Sequence, residues 1–161
     1  GNDARVINIF GGKITTYRKL AESMLEKIET ALGKRKPSWT ANSTLTGGDF
    51  KVEEFDSIVA DVQAKYAFLE PTLAWRLVRS YGTRALQLLG DAKTVEDMGP
   101  QFGGSLTGRE VEYLMQNEWA QTAQDVVWRR SKLGIRLSED QIANLDKWMR
   151  NSSDELASAA N

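Results

Sequence analysis

The sequence contains neither cysteine nor histidine. Without cysteine it can form no disulfide framework and no thiolate metal site, and its cysteine usage is compatible with the cytoplasm. Without histidine it lacks the commonest general base and the commonest metal ligand. Chemistry performed by this chain alone would therefore rest on carboxylates, lysine, tyrosine or hydroxyl groups, and we predict no metal site.

An excess of charge of either sign is also missing. The chain has 21 Lys and Arg against 22 Asp and Glu, which gives a formal net charge of −1. A nucleic-acid binder normally shows a strong basic excess, so the balance argues against a DNA-binding domain built on the segment 128–132, and we expect no nucleic-acid partner. Nor does any apolar run approach the roughly 18 residues of a membrane span, so no transmembrane helix is predicted.

Close to the start of the chain, a β-branched apolar run ends on two glycines and is followed by a helical pattern. Residues 6–10 predict a strand, Gly11 and Gly12 a tight turn, and the following residues a helix to about Leu32, where Gly33 supplies a stop. Glycines at such a turn allow close approach of a ligand, and the helix start offers unpaired N–H groups to an anion or a polarised oxygen.

Two well-known phosphate-binding patterns do not fit this turn. A P-loop needs a glycine five positions before its Gly-Lys pair and a Ser or Thr directly after the lysine, but Ile7 and Ile14 occupy those places. The dinucleotide fingerprint fails as well, because no third glycine follows Gly11 and Gly12 at the required spacing. The segment therefore needs another explanation.

The pattern Gly-Gly-Lys, two variable positions, Thr-Tyr-Arg, two more and Ala is filled here by residues 11–21. It resembles a signature of FAD-dependent (aerobic, respiratory) glycerol-3-phosphate dehydrogenases. Three later stretches resemble the C-terminal region of that family in the same order: Leu-Thr-Gly-Gly-Asp-Phe at 45–50, the arginine-rich stretch 76–85, and 117–134. The resemblance covers roughly residues 6–137, and it departs at Asn117, where the family pattern has histidine.

The resemblance implies an enzyme that oxidises sn-glycerol 3-phosphate to dihydroxyacetone phosphate and passes electrons through FAD to quinone. It also implies a parent protein bound peripherally to the cytoplasmic face of the membrane. The glycine-rich dinucleotide loop and most substrate residues would precede this chain, which opens on Gly1 without a methionine. We therefore expect a fragment of a longer protein that is inactive alone and holds no FAD.

The same resemblance places residues 11–15 beside the flavin ring. Gly11, Gly12, Lys13, Ile14 and Thr15 would contact the cofactor, with the Ile14 and Thr15 N–H groups as donors. Lys13 would act catalytically near the N1 and C2 carbonyl edge or the substrate by stabilising negative charge on reduced flavin. From the residues alone, a cation at a helix start opposes the helix dipole, and such a departure from a local rule favours a functional explanation.

Composition divides the chain into four parts. The resemblance implies that residues 1–36 are the last strand and helix of a larger FAD-binding α/β domain, and the Ser-, Thr-, Asn- and Gly-rich composition of 37–49 indicates a linker. Residues 50–150 would form a helical C-terminal domain, and 151–161 a frayed tail. The predicted fold class is therefore mainly α: a helical bundle preceded by one strand and one long helix.

Apolar periodicity places the helices of this domain. It predicts helices at 50–68, 71–81 and 83–89, a long loop with one turn at 94–98, and helices at 108–119, 123–132 and 139–150. Three hydroxyl residues with a polar partner three positions later mark the last three helix starts: Thr107 with Glu110, Thr122 with Asp125, and Ser138 with Gln141.

Some side chains have two interpretations. Five arginines, Arg76, Arg79, Arg84, Arg129 and Arg130, could bind phosphate or pair with neighbouring carboxylates, and pairing is favoured. The tryptophans at 75, 119, 128 and 148 are expected to pack in helix interfaces. Alternatively, the helical domain could be a docking module for a partner protein, another protomer or an anionic membrane surface, and an oligomer is possible.

Overall fold

In the computed structural model, the chain divides into two units, Gly1–Leu45 and Thr46–Asn161. The structure describes residues 6–33 and 36–159, and only the backbone of residues 153–159. Among these residues, the helices are the main element and a two-stranded hairpin is the only sheet. The predicted mainly α fold is confirmed.

The first unit is built on one long helix. A short 3-10 turn, Ile14–Thr16, leads into α1, Tyr17–Leu32, and Gly33 ends the helix with φ +84°. This agrees with the predicted helix and its glycine stop. The strand predicted at 6–10 is wrong, because these residues have no regular secondary structure and no strand in the described part of the first unit pairs with them. A strand needs a neighbour for its backbone groups, and β-branched residues alone do not supply one.

The second unit carries the remaining helices. They are α2, Phe55–Lys65; α3, Pro71–Tyr81; α4, Ala85–Leu89; α5, Gly108–Asn117; and α6, Glu139–Ala159. Pro71 stands at the start of α3, where a missing N–H is tolerated. A π-helical segment, Asp125–Arg130, occupies most of the predicted helix 123–132. The backbone of α6 remains helical to Ala159, so this helix ends later than the predicted residue 150.

The loop predicted before α5 contains a hairpin instead. Strand β1, Gln101–Gly103, pairs antiparallel with β2, Leu106–Thr107, and an irregularity in the register lies between Gln101 and Gly103. Phe102 and Leu106 are buried, so the hairpin contributes to the core. Gly103 ends β1 and Gly104 lies in the turn, with φ of +105° and +56°. Strands this short lack the alternating pattern by which a strand is predicted.

The second unit has a continuous apolar core. Its largest fully buried apolar side chains come from the helices, the hairpin and the connection before it: Tyr66, Leu77, Leu89, Met98, Leu106, Leu114, Leu145 and Met149. Burial of these side chains is the main stabilising contribution to the unit. No helix in the described residues has both the length and the apolar composition needed to cross a membrane.

The predicted caps are formed. Thr107 accepts a hydrogen bond from the Glu110 N–H at 3.4 Å, at the start of α5. At the start of α6, Ser138 accepts from the Gln141 N–H at 3.3 Å, while the Gln141 side chain accepts from the Ser138 N–H at 2.9 Å. Both partners of this capping box satisfy N–H groups that the helix leaves unpaired.

Two glycines bring the start of the second unit against the end of α3. Gly47 and Gly82 have φ of +78° and +55°, and the Thr83 N–H donates to the Gly47 carbonyl oxygen at 3.1 Å. A Cβ added to Gly47 would lie 2.2 Å from the Tyr81 carbonyl oxygen, and one added to Gly82 would lie 1.8 Å from the Gly47 carbonyl oxygen. Backbone therefore meets backbone here, with no room for a side chain.

Replacing either glycine with alanine should destabilise the second unit. We expect Gly47→Ala and Gly82→Ala each to lower the free energy of unfolding by about 1–3 kcal/mol, because the methyl group forces the backbones apart and the positive φ becomes strained. Urea unfolding followed by circular dichroism measures the change. Gly48→Ala, at the exposed neighbouring position, is the control. Equal effects of Gly47→Ala and Gly48→Ala would contradict the close approach.

Candidate functional site

The segment 11–15 forms an exposed turn in front of α1. Gly11 and Gly12 have φ of +79° and +134°, in the region that glycine adopts without strain. Lys13 is extended, with φ −117° and ψ 146°, and precedes the turn Ile14–Thr16. All five predicted site residues, Gly11 to Thr15, are solvent-exposed. The structure thus brings them together as one continuous surface segment.

Thr16 makes two hydrogen bonds to the backbone just before α1. Its N–H and its hydroxyl both donate to the Lys13 carbonyl oxygen, at 3.0 Å and 3.2 Å. The N–H groups at the start of a helix have no acceptor within that helix, so those of Ile14 and Thr15 are suited to an external oxygen. Together with the positive charge of the preceding residue, Lys13, these N–H groups are chemically suited to an anion or to an oxygen that gains negative charge.

Sequence reasoning missed a second polar cluster in the first unit, centred on Glu22. Its Oε1 atom accepts from Ser38 Oγ at 2.7 Å, Thr40 Oγ1 at 2.5 Å and Arg18 Nη1 at 2.7 Å, while Oε2 accepts from Lys19 Nζ at 3.0 Å. Arg18, which belongs to the signature at 11–21, therefore forms an ion pair with the Glu22 carboxylate. The cluster ties α1 to residues 38–40, which lie 16 and more positions away.

The hydrogen bonds to Glu22 should be visible in its titration. The Ser38 and Thr40 hydroxyls, then Lys19 and the charge of Arg18, lower the pKa of Glu22 to about 2. Because this pKa is depressed in the folded state, the carboxylate's contribution to stability is fully present above the unfolded pKa near 4.5 and is lost as the pH falls from there through about 2.

A carbon-13 NMR titration of the Glu22 carboxyl should therefore give a midpoint near 2. Ser38→Ala, which removes the largest cause, should move the midpoint upward. Lys27→Ala, elsewhere on α1, is the control and should leave it unchanged. A Glu22 midpoint near its ordinary value of 4.5 would contradict the cluster.

In the second unit, the most buried polar group is Glu110, with 0% of its surface exposed. Arg76 donates to both of its carboxylate oxygens, from Nη1 at 2.7 Å and from Nη2 at 2.6 Å. Tyr81 donates its hydroxyl to Glu110 Oε1 at 2.7 Å. Arg76 also donates to Ser105, to the hydroxyl at 3.0 Å and to the carbonyl at 2.9 Å. These contacts join α3, the hairpin turn and α5.

The electrostatics of this cluster fit a fixed ion pair. Burial, together with the Glu110 charge, raises the pKa of Tyr81 well above its ordinary value, so the phenol stays neutral and donates. Burial disfavours the charged form of Arg76, but the hydrogen bonds and charge of Glu110 outweigh it and the pKa of Arg76 is raised. Arg76 is therefore engaged as a charged partner of Glu110, as its ion-pair interpretation predicts.

The other arginines do not form one phosphate-binding group in the described residues. Arg129 pairs with Asp125 at 2.9 Å, Arg79 lies over the Trp75 ring at 5.5 Å from its centroid, and Arg130 donates from Nε to the Glu118 carbonyl at 2.8 Å. The predicted carboxylate pairing is thus confirmed for Arg76 and Arg129. Phosphate recognition by a cluster of these side chains has no support in this arrangement.

Comparison with known proteins agrees with the sequence resemblance. The chain is 42% identical over 145 residues to a glycerol-3-phosphate dehydrogenase of Pseudomonas aeruginosa and 40% identical over 146 residues to the aerobic glycerol-3-phosphate dehydrogenase of Escherichia coli K12. These matches cover 90% and 91% of the chain. A D-erythritol 1-phosphate dehydrogenase of Brucella abortus is 33% identical over 93% of the chain, which spans 30% of that relative.

The chain spans 28% and 29% of the length of the first two relatives. Residues 38–159 match the family model described as the C-terminal domain of alpha-glycerophosphate oxidase. That match covers α2 to α6 and the hairpin, and it leaves out α1 of the first unit. The chain therefore belongs to the family of the C-terminal domain of alpha-glycerophosphate oxidase.

Proposed function

We propose that this chain is the C-terminal part of an FAD-dependent glycerol-3-phosphate dehydrogenase. The parent would oxidise sn-glycerol 3-phosphate to dihydroxyacetone phosphate and pass electrons through FAD to quinone. The observation that carries this proposal is identity of 42% and 40%, over nine tenths of the chain, to two proteins named as glycerol-3-phosphate dehydrogenases.

The residues at 11–15 fit one edge of a flavin. A Cβ added at Gly11 would meet nothing within 4 Å, so the backbone here faces open space. Lys13 would place an ammonium, and Ile14 and Thr15 two N–H donors, where polar ring atoms can accept them. When bound, FAD would take a hydride from the carbon that carries the substrate hydroxyl. Gly11 and Gly12 would let the backbone come close to the ring.

The exposed apolar surface of the first unit supports attachment to a larger domain. No described residue of α1 is fully buried, although the helix carries an apolar stripe. Phe10, Ile14 and Leu32 are 93%, 87% and 68% exposed. Side chains of this kind are normally covered in a folded protein, so we infer that the FAD-binding domain of the parent covers them.

The 161-residue chain should retain no flavin after purification. A single turn that contacts one edge of the ring buries too little ligand surface to hold a cofactor. Visible absorbance of the purified chain measures bound flavin, and the parent enzyme prepared in the same way is the control. Stoichiometric flavin on the chain would contradict its proposed role as one part of a divided site.

The proposed activity is tested on the parent enzyme. FAD content and glycerol-3-phosphate-dependent dye reduction are measured together, with D-erythritol 1-phosphate as the competing substrate because one relative is named for it. We expect a higher kcat/KM with glycerol 3-phosphate. A higher kcat/KM with D-erythritol 1-phosphate would contradict glycerol 3-phosphate as the substrate. A parent protein that contains no FAD and reduces no dye would overturn the flavoenzyme assignment.

We further propose that the parent is cytoplasmic and binds peripherally to the inner face of the membrane, where quinone is available. Membrane flotation of the parent, with and without a high-salt wash, tests this location. Salt-released protein agrees with peripheral binding through charged groups, because salt screens surface electrostatics. Parent protein found only in the soluble fraction would contradict it.

A further inference from the structure

Thr16 directs its hydroxyl backwards, onto the backbone of the turn at 11–15. The hydroxyl donates to the Lys13 carbonyl oxygen at 3.2 Å, and the Thr16 N–H donates to the same oxygen at 3.0 Å. A threonine at a helix start more often uses its hydroxyl as the acceptor for a later N–H, but Thr16 forms no such cap at α1. Both of its donors therefore hold one carbonyl in place.

The planarity of the peptide unit links this carbonyl to a hydrogen-bond donor. The Lys13 C=O and the Ile14 N–H belong to the same trans peptide, so the two groups point in nearly opposite directions. The Lys13 carbonyl points towards Thr16, at the start of α1. The Ile14 N–H is therefore aimed away from the body of the helix, towards the space in front of it.

A second, independent contact holds the turn against the helix. Gly12 lies against Leu20 of α1, and a Cβ added to Gly12 would be 3.1 Å from Leu20 Cδ2. Gly12 is thus held by a side chain of α1, and the carbonyl of the next residue, Lys13, is held by Thr16. Contacts within the first unit therefore fix this backbone without a ligand, as preorganised electrostatic stabilisation requires.

We propose that Thr16 is a positioning residue for the flavin edge: its hydroxyl holds the Lys13–Ile14 peptide so that the Ile14 N–H meets a polar atom of the ring. This role rests on the proposed function, because it requires a flavin beside the turn. Thr16 acts through the Ile14 donor and is not itself a catalytic residue. A donor already aimed at developing negative charge needs no reorganisation as that charge forms.

Nitrogen-15 NMR of the 161-residue chain tests the positioning without flavin. Thr16→Val keeps the size and β-branching of the side chain but removes the hydroxyl. We expect the heteronuclear NOE of the Ile14 amide to fall in this variant, because one of the two hydrogen bonds that hold its peptide plane is lost.

Thr30→Val is the matched control. The Thr30 hydroxyl also donates to a backbone carbonyl of α1, that of Glu26 at 2.9 Å, but it lies several turns away from Ile14. The control therefore removes the same kind of hydrogen bond from the same helix. An unchanged Ile14 amide in Thr16→Val, or an equal change in Thr30→Val, would overturn the proposal.

In the parent enzyme, Thr16→Val should slow flavin reduction by glycerol 3-phosphate about two- to tenfold, the factor that corresponds to one hydrogen bond. The flavin midpoint potential should become more negative, because a donor to the reduced ring is aimed less well. A threonine that only stabilised α1 would leave the potential unchanged, so an unchanged potential would contradict the positioning role. Thr16→Ser keeps the hydroxyl and should recover most of both losses, and a serine variant that behaves like valine would reject the hydroxyl as the acting group.

Lys13→Met, measured beside these variants, separates the role of Thr16 from the proposed function. If Lys13→Met lowers the reduction rate and the potential while Thr16→Val changes neither, the flavin site stands and the role of Thr16 is rejected. If the parent holds no FAD, or if neither substitution affects the flavin, the proposed function of the turn fails and the role of Thr16 fails with it.

Discussion

The Glu110→Ala substitution is expected to lower the free energy of unfolding of the helical unit by about 3–5 kcal/mol. Alanine removes the acceptor for two Arg76 nitrogens and the Tyr81 hydroxyl, which lie 2.6 to 2.7 Å from the carboxylate. The Arg76 guanidinium, with 16% of its side chain exposed, would then be left without its counter-charge. Breaking a buried pair on one side is costly because the remaining charge stays desolvated.

Urea unfolding monitored by circular dichroism measures this effect. Glu112→Ala is a matched control, because Glu112 is exposed on the same helix and its loss should change stability by no more than about 0.5 kcal/mol. Tyr81→Phe, which removes only the hydroxyl donor, should cost about 0.5–1.5 kcal/mol. If Glu110→Ala were no more destabilising than Glu112→Ala, the cluster would not hold α3 and α5 together.

The second large effect is expected in the parent enzyme. Lys13→Met keeps the length and apolar stem of the side chain but deletes the charge. If the ammonium stabilises negative charge at the flavin edge or positions substrate, the loss should be about 2–4 kcal/mol, or roughly a hundredfold to a thousandfold in the rate of flavin reduction. Lys13→Arg should restore little activity, because a planar guanidinium does not replace a compact ammonium.

Stopped-flow reduction of FAD by glycerol 3-phosphate is the decisive measurement, with FAD content determined in each variant so that lost cofactor is not mistaken for lost chemistry. Lys27→Met, at an exposed lysine on α1, is the control and should leave the rate nearly unchanged. A Lys13→Met enzyme that retains FAD and reduces it at nearly the parental rate would leave the glycine turn with a geometric role only.

Local signals were sufficient for most of the helices. The Gly33 stop of α1, Pro71 at the start of α3 and the Ser138–Gln141 capping box all act within a few residues, and each is found where the sequence predicts it. The hairpin was missed and the strand at 6–10 was predicted wrongly, because a strand is stabilised by a neighbour that its own residues do not specify.

In the candidate site too, the local turn could be predicted from the sequence and the long-range contacts could not. The turn at 11–15 could be located from its glycines and from the resemblance, whereas its contacts with a flavin remain predictions, since they depend on a ring held by other parts of the parent. The Glu22 cluster escaped prediction because Ser38 and Thr40 lie 16 and 18 residues away. Nothing in the spacing of hydroxyl residues indicates which carboxylate will accept their hydrogen bonds.

The sequence by itself determined the helical class, several helix starts and the family, because these depend on periodicity, caps and motifs read along the chain. Only the tertiary structure decided that Arg76 neutralises Glu110 across 34 residues and that Trp119 faces solvent in a left-handed conformation. The physical reason is that ion pairing and exposure depend on which side chains the fold brings together, and residues distant in the sequence supply those neighbours.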